Sequence, residues 1–277
     1  MSAELTEAEN SIVGSTAAVI ETLLLQPTLF YKNALAQGLP LTLNPVTLYR
    51  GIGASMMNEV GQLAIGFGVT GALKAWLSGS DGGGTPDSGG VGASDMLAAT
   101  AGGGVVGLYA SPCELLMIQQ QRYGGGLAGT ALGIAKKHGV FGSGLMRGLI
   151  PTVGRDSIYV GGMLGVTPAV QAYLEGSAGM STPTASVAAS ITGGVFGGVL
   201  SHPFDVVKTC MQGDVERVTY AGIAQTVRTL VNEGGIARLF NGVGWRTVNI
   251  TGTVYIANEC SARLPPYVMA ITRSDRS

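Results

Sequence analysis

Charged residues are scarce in this chain of 277 residues. Asp, Glu, Lys and Arg make up only 12% of it, whereas about 25% is usual in a soluble domain. Hydrophobic residues account for 46% of the chain, and 45 residues are glycine. Glycine is common in membrane-spanning helices because it lets two backbones approach closely. The composition therefore favours a membrane protein over a soluble domain.

Histidine and cysteine are also scarce, and the net charge is close to zero. His138 and His202 are isolated, and the three cysteines, Cys113, Cys210 and Cys260, lack the spacing of a metal site. We therefore expect no metal and predict that the cysteines are buried thiols. No nucleophile is grouped with a base, which disfavours an enzyme. The net charge of −1 provides no basic surface for nucleic acid, so we expect no nucleic-acid partner.

The start of the chain has no basic residue. Its first nine residues contain three glutamates. A secretory signal peptide needs a positively charged start, and a mitochondrial transit peptide is rich in arginine and poor in acids. We therefore expect any targeting information to lie inside the sequence.

Six stretches are apolar for about 20 residues or more, which is the length a helix needs to cross a bilayer core of about 30 Å. They are 11–37, 52–77, 93–122, 149–174, 185–212 and 243–268. Each stretch contains a few polar groups. Because a charge facing lipid is costly, we expect these groups to face the interior of a helix bundle or a water-filled cavity.

The links between these stretches are of two kinds. The links 123–147 and 213–242 are predicted to contain short amphipathic helices, whereas 78–92 and 175–182 are rich in Gly and Ser and are predicted loops. Basic residues concentrate in the first kind and in the link that contains Arg50. By the positive-inside rule this side faces the interior compartment, and both termini face the other side.

Three prolines, Pro27, Pro112 and Pro203, are 85 and 91 residues apart. Each lies near the end of an apolar stretch, where a proline removes a backbone donor, so we predict a helix kink at each. The spacing predicts three repeats within one domain. The predicted repeats are 1–90, 91–183 and 184–277.

Acids and bases follow these prolines in a regular pattern. The third proline is followed by Asp205 and Lys208, which lie three residues apart and therefore share one helix face. The second copy keeps only the acid, Glu114, and the first keeps only the base, Lys32.

A second motif occurs later in each repeat. Its copies are Tyr49-Arg50-Gly51, Met146-Arg147-Gly148 and Phe240-Asn241-Gly242. With these motifs, the chain resembles the mitochondrial carrier family over essentially its whole length. The resemblance implies an all-α membrane protein with six transmembrane helices in three tandem two-helix repeats. It also implies short amphipathic helices on the matrix side and a pseudo-threefold bundle.

The resemblance implies a network of ion pairs at the matrix end of the bundle. The family pattern pairs Asp205 with Lys32 and Glu114 with Lys208, so both pairs include a residue of the third repeat. We therefore predict that Asp205 and Lys208 are the centre of the network. Replacing both residues would leave Lys32 and Glu114 without partners, so the double variant is predicted to be less stable than either single variant.

The third pair of the family pattern would join Leu29 and Met117, both of which are apolar. A pair that had lost one member would leave an unpaired buried charge, at a cost of about 3–5 kcal/mol. Loss of both members avoids this cost. The resemblance also implies that Gln121 and Gln212 brace the network.

At the opposite end of the bundle, the resemblance implies a cytoplasmic network in which one pair, Lys74 with Glu259, survives. The substrate-binding residues it implies are Asn58 with Glu59, Arg155 with Asp156, and Arg246 or Asn249 in the third repeat. Arg can bind a carboxylate with two hydrogen bonds, and Asp can accept an ammonium group. Two alternatives stay open: a purely structural ion pair between Arg155 and Asp156, and hydrogen bonding between helices by Asn58 and Glu59.

Two functions follow from the resemblance. The first is a carrier of the mitochondrial inner membrane that moves a small charged metabolite, amino-acid-like or carboxylate, by alternating access, with both termini in the intermembrane space. Its partners would be the substrate and membrane lipid. No cofactor is implied, although a bound lipid such as cardiolipin would fit. The alternative is a structural subunit of a large inner-membrane respiratory complex, favoured by the incomplete charge pattern and by a pI of about 6.1.

Overall fold

The computed structural model describes residues 5–62, 65, 93–142 and 144–274. Within these residues the chain forms helices and turns and has no β-strand, which confirms the all-α prediction for this part. The helices are α1 (Glu7–Gln37), α2 (Pro45–Leu48), α3 (52–62), α4 (Ala93–Tyr123), α5 (Leu127–His138), α6 (Leu149–Gly176), α7 (Thr182–Gly213), α8 (Ile223–Gly234), α9 (Val243–Arg263) and α10 (Pro265–Ser274). A 3₁₀ helix, Ile236–Phe240, lies between α8 and α9.

Local sequence signals set the ends of α1. The hydroxyl of Thr6 accepts a hydrogen bond from the backbone N–H of Glu9, and the Glu9 carboxylate accepts one from the backbone N–H of Thr6. This reciprocal pair satisfies two backbone donors that would otherwise lack partners. The helix ends at Gly38, whose φ of 67° is left-handed and favours glycine.

Of the six predicted apolar stretches, four coincide with helices, one is divided, and one is described mainly in its first part. Four of them lie within or along α1, α4, α6 and α7. The stretch predicted at 243–268 is instead divided, because α9 ends at Arg263 and α10 begins at Pro265. Pro265 and Pro266 both lack the backbone N–H that a continuing helix would need. The stretch predicted at 52–77 is helical over 52–62, and its later part lies largely outside the described residues.

Two of the described helical segments are long and apolar enough to cross a membrane, judged by length and composition. They are Glu9–Gln37 in α1 and Thr182–Gly213, which is α7. Helix α9 is long enough, but it contains Arg246, Glu259 and Arg263. Such charges lower the hydropathy of a helix, and they must face other helices or water rather than lipid.

Helices α6 and α7 pack with their backbones in close contact. A Cβ atom added to Gly197 of α7 would lie 2.5 Å from the carbonyl oxygen of Tyr159 in α6. A Cβ atom added to Gly162 of α6 would lie 3.0 Å from the Cα atom of Gly197. Helix α4 also packs on α6, α9 packs on α7, and α1 packs on α9. The first long helix of the chain therefore meets the last.

The predicted amphipathic links correspond to α5 and α8, and a tight loop follows α7. Arg147 is buried before α6 and donates hydrogen bonds to the backbone carbonyls of Met211 and Tyr220. The Asp214 carboxylate accepts hydrogen bonds from the backbone N–H groups of Val218, Thr219 and Tyr220, the shorter two at 2.7 Å. The loop is therefore stabilised by two charged side chains: the Asp214 carboxylate binds its backbone N–H groups, and the Arg147 guanidinium binds backbone carbonyls at its two ends.

Asp214 gives this loop a predictable response to pH. Burial raises the pKa of Asp214, but hydrogen bonds from the backbone of Tyr220, Thr219 and Val218 outweigh that effect and hold the pKa below its usual value. The stabilisation is therefore complete above the pKa of the unfolded chain, about 3.9, and is lost as the pH falls through the lower pKa of the folded chain. Because two of these hydrogen bonds are exposed to solvent, we expect Asp214→Ala to lower the free energy of unfolding by only about 0.5–1.5 kcal/mol near neutral pH.

Thermal unfolding of wild type and Asp214→Ala between about pH 3 and pH 7 measures this effect. The difference in Tm should stay constant from neutral pH to the mildly acidic range and then shrink. Glu216→Gln is the matched control, because this exposed carboxylate in the same loop has ion-pair contacts, among the residues described, with the side chains of Lys137 and His138 alone. A Tm difference that grows on acidification would contradict the assigned role of Asp214.

Candidate functional site

A network of charged side chains lies where α1, α4 and α7 end and where α6 and α9 begin. Its members are Lys32 of α1, Glu114 of α4, Arg155 and Asp156 of α6, Asp205 and Lys208 of α7, and Arg246 of α9. Antiparallel neighbours bring these ends together, although the residues are far apart in sequence. Ion pairs thus link five helices at one end of the bundle.

Asp205 is at the centre of the network. Its Oδ2 atom lies 2.8 Å from Lys32 Nζ and 3.0 Å from Arg246 Nη1. Its Oδ1 atom lies 3.0 Å from Lys208 Nζ and 3.4 Å from Arg155 Nη1. The Asp205 side chain is 1% exposed, so one fully buried carboxylate is shared by four cations.

Glu114 provides a second acidic centre. Its Oε2 atom lies 3.0 Å from Lys208 Nζ, and its Oε1 atom lies 2.5 Å from Arg155 Nη1. The Arg155 guanidinium also contacts Asp156, with 2.6 Å between Nη2 and Oδ1. The structure thus brings together Asp205 with Lys32 and Glu114 with Lys208, the two pairs that the family resemblance implies. It adds Arg155, which links both acids.

Among the residues that the structure describes, the network contains more cations than carboxylates. Four cations contact three carboxylates, and six of the seven side chains are no more than 10% exposed, Asp156 being 14% exposed. Burying charges costs several kcal/mol for each ion unless partners compensate. Here each carboxylate has at least one cation within 3.0 Å, but the contacting groups keep an excess of one positive charge.

Apolar side chains occupy the place of the missing third pair. Met117 is buried in a cluster that contains Leu115, Leu116 and Ile118, and Leu29 packs against this cluster. A chain that has lost both charges at this place therefore fills it with apolar contacts. The network is asymmetric as a result, because its ion pairs concentrate around α7.

The two glutamines predicted to brace the ion pairs have other partners. Gln121 accepts a hydrogen bond of 2.8 Å from Asn33 Nδ2. Gln212 Nε2 lies 3.1 Å from the carbonyl oxygen of Ser111 and 3.2 Å from that of Arg147. The first contact joins α1 to α4, and the other two join α7 to α4 and to the residues just before α6, beside the charged network.

The structure separates the two candidates for the third substrate-binding position. Arg246 faces the network, donates a hydrogen bond of 2.9 Å to Ser201 Oγ and contacts Asp205. Asn249 donates a hydrogen bond of 2.9 Å to Thr28 Oγ1 and so links α9 to α1. One turn of helix along from Arg246, Asn249 thus belongs to a contact between helices.

The first predicted position contains Asn58 and Glu59. Asn58 is buried, and its Nδ2 atom donates a hydrogen bond of 3.3 Å to Glu59 Oε1. Neither residue forms an ion pair with the other side chains that the structure describes. Glu59 is nevertheless close enough to Glu114 and Arg155 for their charges to interact. This position therefore borders the network without being part of it.

The remaining predicted residues lie elsewhere. Glu259 pairs with Arg263 on the next turn of α9, at 2.7 Å, and its predicted partner Lys74 lies outside the described residues. Pro27, Pro112 and Pro203 lie inside α1, α4 and α7, each of which continues past its proline. Among the residues described, no group of His, Cys, Asp and Glu is arranged to hold a metal ion.

Tyr159 is a further residue beside the network that the sequence did not indicate. The Arg246 guanidinium carbon lies 5.9 Å from the centre of the Tyr159 ring, which is within the range of a cation–π contact. Tyr159 follows Arg155 by four residues, so the two share a face of α6. This spacing is the sequence signal that could have identified it.

Over the residues that the structure describes, these features define a helical bundle whose helices are joined by buried ion pairs at one end. Sequence comparison shows which known proteins this chain resembles. A family model described as mitochondrial carrier protein matches residues 179–257. The chain is 26% identical over 144 residues to the mitochondrial substrate carrier family protein ucpB of Dictyostelium discoideum, a match that covers 50% of this chain.

Two further relatives are similar to different extents. A mitochondrial carnitine/acylcarnitine carrier-like protein of Arabidopsis thaliana is 28% identical over 76% of this chain and 76% of its own length. A mitochondrial glycine transporter of Emericella nidulans is 31% identical over 37% of this chain and 32% of its own length. The chain spans about half the length of the Dictyostelium protein, 48%. The chain is therefore similar to mitochondrial carrier proteins, by the family model over residues 179–257 and by the Arabidopsis protein over 76% of its length.

Proposed function

We propose that this protein is a carrier of the mitochondrial inner membrane that moves a small charged metabolite, amino-acid-like or carboxylate, by alternating access. The observation that carries the proposal is the burial of seven charged side chains from five helices in one network. Charges inside a membrane protein are expensive, and they mark a transport pathway or binding site by default.

The proposed architecture has six transmembrane helices in three two-helix repeats, with both termini in the intermembrane space. Helices α1, α4, α6, α7 and α9 and the helical residues 52–62 would supply the six. The packing of α1 on α9 supports a closed ring of helices. The ends of α1, α4 and α7 would then form the matrix side.

Transport requires the ion pairs to open and close. Substrate binding can favour the open form only if the substrate binds that form more tightly. We propose that contacts to Arg155, Arg246 and Asp156 supply this difference and offset the opening of the pairs formed by Asp205. Asp156 offers one oxygen for this purpose, because its Oδ2 atom is buried without a hydrogen-bond donor among the residues described.

These charged groups indicate the chemical class of the substrate. Two guanidinium groups suit a carboxylate, and a carboxylate oxygen without a donor suits an ammonium group. Two relatives are named for carnitine and for glycine, and both molecules contain a carboxylate and a nitrogen cation. Amino acids and related zwitterions are therefore the first compounds to test, followed by simple carboxylates.

Uptake by purified protein in liposomes tests this function. We expect saturable uptake of at least one labelled amino acid, betaine or carboxylate. Arg155→Gln should reduce uptake by at least about tenfold, because losing one partner of a buried charge pair costs about 2–5 kcal/mol. Glu216→Gln, outside the network, should transport normally. Folded protein that transports none of these compounds would refute the proposal.

A second candidate is a carrier-like subunit of a large inner-membrane complex. The specific observation in its favour is the replacement of one ion pair by the apolar residues Leu29 and Met117. Native gel electrophoresis of mitochondrial membranes distinguishes the two. A free carrier migrates as a small species, whereas a subunit migrates with the large assembly.

A further inference from the structure

Asp205 is bound in the way that a protein binds an anionic ligand. Its two oxygens are contacted by cations from four helices: Lys32 of α1, Arg155 of α6, Lys208 of α7 and Arg246 of α9. A carboxylate has about four lone-pair sites, so these contacts use its full capacity as an acceptor. Lys32 or Lys208 alone would suffice to neutralise one buried aspartate.

The two arginines differ in how many other carboxylates they contact besides Asp205. Arg155 has closer partners in Glu114 and Asp156, at 2.5 and 2.6 Å, and reaches Asp205 only at 3.4 Å. Arg246 has Asp205 as its single ion-pair partner among the residues described, besides its hydrogen bond to Ser201. Removal of Asp205 from between them would therefore leave Arg246 without an anion in a buried position.

Another anion could then take the same place. Within the described part of the chain the network has four cations for three carboxylates, so one added negative charge balances the contacting groups. The Tyr159 ring lies 5.9 Å from the Arg246 guanidinium carbon, on one side of this cation. The position already accommodates a carboxylate, since Asp205 supplies one.

We infer that Asp205 is an internal competitor, whose carboxylate occupies the position that the substrate carboxylate takes between Arg155 and Arg246. The ligand's role as substrate rests on the proposed carrier function, but the competition does not. In the wild type, a carboxylate must displace Asp205 from the arginines before it binds. Its apparent affinity is therefore lowered by the small fraction of molecules in which the position is free.

The inference explains how binding could open the bundle. Asp205 holds α7 to α6 and α9 through the two arginines. A carboxylate that takes over both guanidinium groups breaks these two links and leaves α7 bound through the lysines. The ligand thus loosens α7 by replacing Asp205 at the two guanidinium groups. It needs no contact with α7 itself.

Chemical rescue tests the competition directly. Acetate and formate are titrated into purified full-length Asp205→Ala in detergent, and Tm is followed. We expect acetate to stabilise Asp205→Ala at concentrations at least about tenfold lower than those that affect the wild type. Methylammonium should have no such effect, and phosphate should be weaker than acetate. Glu216→Gln, which also loses one carboxylate, should respond to acetate like the wild type.

A second measurement applies even if Asp205→Ala does not fold. Acetate at high concentration should raise the Tm of the wild type and of Glu216→Gln, and Arg246→Gln should abolish this rise. Equal responses to acetate in Asp205→Ala and the wild type, or a rise that persists in Arg246→Gln, would overturn the inference. Acetate rescue without uptake in liposomes would retain the competition and reject the carrier function. Uptake without acetate rescue would support the carrier function and reject the competition.

Discussion

Asp205→Ala is expected to destabilise the protein more than any other single change in the network, and adding Lys208→Met should restore part of the loss. The single variant leaves four buried cations around an empty position, and breaking a buried pair in this way costs about 3–5 kcal/mol. Lys208→Met removes one of these cations. It leaves Glu114 paired with Arg155 at 2.5 Å.

Thermal unfolding of the two single variants and the double variant in detergent decides this. We expect the highest Tm for the wild type, followed in decreasing order by Lys208→Met, the double variant and Asp205→Ala. The pairing implied by the family resemblance predicts a different order, with the double variant last, because it assigns Glu114 no partner except Lys208. A double variant less stable than Asp205→Ala would show that Arg155 does not compensate Glu114.

Gly197→Ala should separate α6 from α7 and lower the free energy of unfolding by about 1–3 kcal/mol, the usual cost of adding atoms to a packed interior. The added Cβ atom would lie 2.5 Å from the carbonyl oxygen of Tyr159. Because the contacted atom belongs to the backbone of α6, the helix itself must move. Rotation of a side chain cannot relieve the contact.

Gly14→Ala is the matched control for this substitution. Gly14 also lies inside a long helix, α1, but a Cβ atom added there has no neighbour within 4 Å. Alanine is favoured over glycine in a helix by about 0.5–1 kcal/mol. Tm should therefore rise slightly for Gly14→Ala and fall for Gly197→Ala. If both rise, the close contact between α6 and α7 is absent.

The helices could be predicted from sequence because their signals are local. Apolar runs of sufficient length gave α1 and α7, and glycine marks the end of α1 at Gly38. The prediction was wrong where it carried a single helix through Pro265, although the two consecutive prolines were visible. In that case the apolar composition outweighed a clear breaking signal.

The ion pairs could be predicted only in part. The pairing of Asp205 with Lys32 is implied by the resemblance to the carrier family, whose pattern pairs an acid of one repeat with a base of another. No such pattern relates Arg155 to Glu114, 41 residues away, or to Asp205, 50 residues away. Whether the long side chain of Arg155 reaches them depends on how closely α6 approaches α4 and α7. That distance is set by packing across the whole bundle.

The meeting of α1 with the last helices has a consequence for folding. The hydrogen bonds between Asn249 and Thr28 and between Thr253 and Glu21 join residues 221 and 232 positions apart. The bond between Thr272 and Glu9 spans 263 positions. Contacts of such high order form slowly, because the entropy of closing a long loop is lost before they form. During synthesis, α1 can therefore pack against α9 and α10 only after nearly the whole chain has been made.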